Sequence, residues 1–173
     1  MIKNARATVL QEKIAPMPKD YSMKKKVVKI MPLTSQAKIM VVTLEYNSQV
    51  NLVIPHIKTM ENSLKGTYKI INCTHVTCTQ IEIDGKFYDV WSDDEALLID
   101  KPIPTLYIND DLVLFGNLIF ATSDEGGATR GLNDEDMDRV LKYINRQAPK
   151  LISWLDNFIS KQERRKIYDI KAS

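Results

Sequence analysis

The pair Asp84-Gly85 lies between two runs of alternating character, Thr77–Ile83 and Lys86–Trp91, and it constrains the fold more than any other feature of the chain. A type I′ turn needs positive φ at both central residues, and Asp-Gly accepts that at little steric cost. The two runs are therefore predicted to be antiparallel partners. Further strands are expected on both sides of them. Val27–Met31 reads as a first strand that stops near Pro32. Lys38–Tyr46 is rich in β-branched residues, and Asn47-Ser48 offers a turn into Val50–Ile54. Pro55 interrupts that run, so Ile57–Leu64 is predicted as a short helix ending at Gly66. Tyr68–Thr74 is a strand candidate. Pro102 and Pro104 stiffen a connection, and Leu112–Ala121 is an apolar strand that closes the sheet.

Helical signals gather toward the C-terminus. Asn133 can cap a helix, with Asp136 at the capping-box position and Asp134 and Glu135 complementing the dipole. Met137, Val140, Leu141 and Ile144 supply its apolar face. Pro149 suits the first turn of a second helix, where Leu151, Ile152, Trp154, Leu155, Phe158 and Ile159 recur at helical spacing. The expected fold is α+β, a single domain with a mostly antiparallel sheet and C-terminal helices. Its organisation reads as an N-terminal arm (1–22) that a partner would order, an α+β domain (23–147), and a C-terminal amphipathic helix with a basic tail (148–173).

Composition narrows the class. The chain has 173 residues, 44% hydrophobic and 27% charged, which suits one well-buried core. No apolar run approaches the ~20 residues of a membrane span, and no signal-peptide block follows Met1. The expectation is a cytoplasmic protein with no membrane role and two reduced cysteines. Charge is unevenly spread. Residues 1–50 hold nine Lys/Arg against three acids, residues 51–141 seven against sixteen, and residues 142–173 eight against three. Basic ends flanking an acidic middle speak to partners and association rather than to fold.

An ordered set of motifs resembles one small domain family. It runs from Gly66-Thr67-Tyr68-Lys69-Ile70-Ile71 through Asp84-Gly85, Ser92-Asp93-Asp94-Glu95 and Lys101-Pro102. It continues through Leu114-Phe115-Gly116-Asn117-Leu118-Ile119-Phe120, Gly126-Gly127 and Arg130-Gly131-Leu132-Asn133-Asp134-Glu135-Asp136. The resemblance covers roughly residues 23–144, to a family without assigned function that is widespread in phages, plasmids and conjugative elements of gut bacteria. One departure is Thr105-Leu106 after Pro104, where family members usually carry Asn and a basic residue. The resemblance implies a mobile-element accessory protein in a bacterial host cell or virion, and it brings no catalytic residues with it.

Candidate chemistry is sparse. Cys73 and Cys78 flank His75, but in a strand Cys78 points away from the other two, and a fourth ligand is lacking nearby, so no metal is expected. Gly126-Gly127-Ala128-Thr129-Arg130-Gly131 lacks the Lys and Ser/Thr of a phosphate loop, and the acids Asp134, Glu135 and Asp136 that follow would repel an anion. Asp93, Asp94, Glu95, Asp100, Asp110 and Asp111 sit in turns beside prolines, as solvated acids do. No enzyme activity and no cofactor are expected. Two function classes remain. One is binding of a host or viral protein, or self-association, in counter-defence or assembly. The other is binding of nucleic acid or a nucleotide through Lys24, Lys25, Lys26, Arg130, Arg164, Arg165 and Lys166.

Overall fold

A computed structural model describes residues 37–172 of the chain, with side chains described to Lys161. The arm 1–22, the Val27–Met31 segment and Lys24–Lys26 lie outside the described residues. So do the side chains of Arg164, Arg165 and Lys166.

Eight strands and two helices make up the described chain. They are β1 (Lys38–Asn47), β2 (Leu52–Glu61), α1 (Leu64–Ile71), β3 (Val76–Ile83), β4 (Lys86–Asp93), β5 (Pro104–Asn109), β6 (Leu112–Phe115), β7 (Leu118–Ser123), β8 (Thr129–Arg130) and α2 (Asp134–Ala172). The main sheet has the order β2-β1-β7-β4-β3, with β8 paired to β7, and every pairing is antiparallel. Strands β5 and β6 form a separate two-stranded sheet. The α+β architecture thus stands as expected. Asp84 and Gly85 have φ of 50° and 80°, and Ile83 faces Lys86 across the turn, so the hairpin has both positive φ angles its turn requires.

Alternation along β7 builds two cores. Leu118 and Phe120 point to one face, where Val42, Leu44, Tyr88, Val90, Leu106 and Leu114 meet Met137, Val140, Tyr143 and Ile144 of α2. Ile119 and Ala121 point to the other, packing with Val41, Met60, Trp91 and Ile71 under α1. Burial of these side chains on both faces is the main force holding the layers, each large apolar side chain contributing about 1.5–3 kcal/mol.

Several local expectations are corrected. Strand β2 runs straight through Pro55 and takes in Ile57–Glu61, which the proline had suggested was helical. It is an outer strand in the described order, where a residue without N–H can sit with its nitrogen off the ladder. The helix comes later and replaces the Tyr68–Thr74 strand. Ser63 caps α1 by accepting from the Gly66 amide at 3.0 Å. Gly66 lies inside this helix rather than ending it, because a Cβ there would stand 2.3 Å from the Glu61 carbonyl oxygen. The helix ends at Asn72, in the left-handed region that Asn tolerates.

The single strand Leu112–Ala121 is two strands, broken where Gly116 takes φ of +72°. The proline-stiffened connection gives way at Pro104 to strand β5, whose Thr105 hydroxyl donates to the Gly116 carbonyl at 2.6 Å. The Gly126-Gly127 segment is the turn of the β7–β8 hairpin. Finally, Pro149 starts no new helix: α2 continues through it without a break. An interior proline costs roughly 3 kcal/mol. Packing on both sides of it, by Tyr143 and Ile144 before and Leu151 and Trp154 after, keeps the helix whole.

Candidate interaction site

Strand β4 presents chemistry at both of its ends. At its start Lys86 and Tyr88 face α2 and meet Asp136, which is 3% exposed. Asn133 fixes the first turn of α2 by accepting from the Asp136 amide at 2.8 Å. The Asp136 carboxylate takes the second half of the capping box, accepting from the Asn133 backbone amide. It also accepts from Lys86 Nζ at 2.6 Å and from the Tyr88 hydroxyl at 2.7 Å. Arg139 donates to the Tyr88 oxygen at 2.9 Å and pairs with Glu135 at 2.7 Å.

Burial and the hydrogen bond to Asp136 push the Tyr88 phenol up to about 12. Burial alone would raise the Asp136 carboxyl, but Lys86, Tyr88 and the Asn133 backbone amide together hold it below the usual carboxylate range. Both groups are thus locked in one protonation state near neutrality, so the cluster joins helix to hairpin and has no proton to exchange. A second, exposed link pairs Arg146 with Asp84 at 3.1 Å.

At the other end β4 runs from Asp93 into the loop of residues 94–103. The Asp94 amide donates to the His75 carbonyl at 3.1 Å. Asp93 Oδ1 accepts from the Glu95 amide at 2.9 Å, and the Leu98 amide donates to the Glu95 carbonyl at 2.8 Å. Ala96 is buried against Val113 and Phe115, which Trp154 of α2 covers edge-on at 6.5 Å. The base of the loop is therefore tied by backbone bonds and a buried anchor. Its tip is bare: Leu98 is 79% exposed and Ile99 54%. Asp93, Asp94, Glu95 and Asp100 surround that tip in sequence.

The acidic set read from sequence does not come together. Asp110 and Asp111 lie at the β5–β6 turn, the far end of a six-residue strand from the loop, which is about 20 Å at ~3.3 Å per residue. There Asp110 accepts from the Tyr107 hydroxyl at 2.7 Å. Cys73 follows α1 instead of lying on a strand, and both thiols pack against the Trp91 core. Burial pushes Cys73 up to about 11 and Cys78 up to about 12, so each is a neutral thiol and a poor nucleophile. His75 lies 3.6 Å from Glu95. Among the described residues no three His, Cys, Asp or Glu side chains are grouped to hold a metal.

Of the anion contacts expected from sequence, only Arg130 has a described side chain. It chelates Asp124 through Nε at 2.9 Å and Nη2 at 2.7 Å, so it stabilises the β7–β8 turn while remaining on the surface. The Ala128 amide and Arg130 hold Asp124 below the ordinary carboxylate range. Sequence reasoning passed over the tip of the 94–103 loop. Its available signal was Ala96-Leu97-Leu98-Ile99, an apolar run set between acids where solvent exposure was expected.

Residues 49–145, more than half of the chain, match the model of a family described as Domain of unknown function (DUF3846), and the chain belongs to that family. No curated protein matches the chain, and no solved structure does. Among the described residues no helix is long and apolar enough to cross a membrane.

Proposed function

We propose that this chain is a non-catalytic accessory protein of a phage or other mobile element. It acts by binding a host or viral protein, in counter-defence or assembly, in the bacterial cytoplasm or in the virion. The observation that carries the reading is the 94–103 loop. Its base is pinned by Ala96, by backbone bonds and by the Asp93 carboxylate on the Glu95 amide, while Leu98 and Ile99 stand in solvent between carboxylates in sequence. Preorganised apolar side chains ringed by polar groups are what protein interfaces use, because the ordering cost is already met in the free protein. The mobile-element setting rests on the sequence resemblance.

The second reading, nucleic-acid or nucleotide binding, is favoured by the exposure of Arg130 and by the basic residues Lys24–Lys26 and Arg164–Lys166. Salt separates the two. Affinity capture of the tagged full chain from infected or carrier cells, at ~50 and ~200 mM salt, should recover the same protein partner at both concentrations. Recovery of nucleic acid that falls steeply between them would favour the second reading and overturn the first.

A further inference from the structure

The face of the main sheet turned away from α2 is covered by α1 only in part. Toward the Asp84-Gly85 turn it carries the acids Glu82 and Asp89, which make no ion pair among the described residues. The β3–β4 register sets Phe87 opposite Glu82 and Asp89 opposite Gln80, and strand alternation turns all four away from the Lys86 and Tyr88 side. Phe87 is 59% exposed. Asp89 is only 8% exposed, and its bond is a long one, 3.5 Å from Gln80 Nε2. Glu82 is exposed and makes no ion pair or hydrogen bond among the described residues. An aromatic ring between two carboxylates suits an ammonium or guanidinium group, which gains from both the ring face and the charge.

The chain itself supplies a fitting occupant. Residues 1–36 hold eight Lys/Arg against two acids. The described chain enters the sheet at this same end, where the Ala37 carbonyl accepts from the Asn62 amide at 2.8 Å and Lys38 stands opposite Glu61. Val42 faces Phe120, which faces Val90, so the same cross-strand alignment puts Ile39 of β1 in the row of Phe87 and Glu82. From β1 to β3 that row spans three strand spacings, about 14 Å, which four or five extended residues cover. Lys29 precedes Ala37 by eight residues, and Lys24–Lys26 by eleven to thirteen, so all have the reach.

We propose that the basic segment ahead of residue 37 docks on the Glu82–Phe87–Asp89 face of its own chain through Lys24, Lys25, Lys26 and Lys29. The lysines that the nucleic-acid reading would use are then engaged internally. A basic partner could reach this face only by displacing them.

Zero-length carbodiimide crosslinking of the full chain tests this, with an equal mixture of ¹⁴N- and ¹⁵N-labelled protein read by mass spectrometry. Lys142–Asp138 and Lys58–Glu45, each at 2.6 Å, serve as internal controls. The expected result is crosslinks from Lys24–Lys26 or Lys29 to Glu82 or Asp89 within one isotopic copy. Their yield should fall at least fivefold in Phe87→Ser, an exposed change that leaves the control crosslinks intact. Control crosslinks without any to Glu82 or Asp89 would overturn the proposal. Crosslinks found only between labelled and unlabelled copies would also overturn it, assigning the face to a second molecule. An unchanged yield in Phe87→Ser would overturn the docking geometry.

Discussion

At the Lys86 end of β4, charge is enclosed and matched. Asp136 is buried, Lys86 and Tyr88 bond it, and Arg139 ties Tyr88 to Glu135. Some seven residues along the same strand, Asp93 opens into a loop that carries Leu98 and Ile99 into solvent. Both ends are anchored, but the first spends its polar groups on the fold and the second leaves its apolar ones unspent. A group that the fold has already satisfied has little to offer a partner. Function in this chain is therefore to be sought where satisfaction stops, and stability where it is complete.

That contrast predicts a graded set of effects. Tyr88→Ala should be the most damaging, since it empties a fully buried aromatic site and strips a donor from Asp136. About 3–5 kcal/mol of stability should be lost in denaturant unfolding. Asp136→Asn should follow at roughly 1.5–3 kcal/mol, the usual worth of hydrogen bonds to a buried charge.

Its pH dependence is the sharper test. Asp136 is held below its unfolded value near ~4, so its contribution is complete above that pH and is lost as pH falls through the lower folded value. Unfolding titrations between pH 2 and 7 should show the acid loss of stability shrinking in Asp136→Asn. A variant with an unchanged acid limb would show that the carboxylate is not charge-paired in solution. Arg146→Gln breaks an exposed link to Asp84 and should cost ~0–1 kcal/mol, less in high salt. If it cost as much as Asp136→Asn, the distinction between buried and exposed ends would fail. Leu98→Ser should be smallest of all, within ~0.5 kcal/mol of the parent by thermal melting.

What the sequence revealed follows the same division between local and tertiary causes. The Asp84-Gly85 turn, strands β1, β3 and β4, and the Asn133 cap depend on neighbours in sequence, and each was legible. Strand β2 crosses Pro55 because the pairing with β1 outweighs the proline's preference, and nothing near Pro55 says that its strand will lie outermost. Gly66 read as a stop, whereas the Glu61 carbonyl beneath it demands a residue without Cβ inside a helix. Helix α2 passes Pro149 because the apolar side chains on both sides of it find packing partners. In the candidate site, the acids Asp93, Asp94 and Glu95 were visible as a turn. The exposure of Leu98 and Ile99 was not, since an apolar run gives no sign of which member will be the buried anchor and which the tip. The capping role of Asp136 was legible, but its burial was not, because that depends on Lys86 and Tyr88, some fifty residues away.

In the proposed reading the 94–103 loop binds and the Asp136 end holds. It is tested most directly by capturing partners with the Leu98→Asp, Ile99→Asp double variant beside the parent chain, and measuring both melting temperatures. Loss of at least nine-tenths of the captured protein, with melting temperatures within a few degrees, is the predicted result. Undiminished capture by a folded double variant would contradict it.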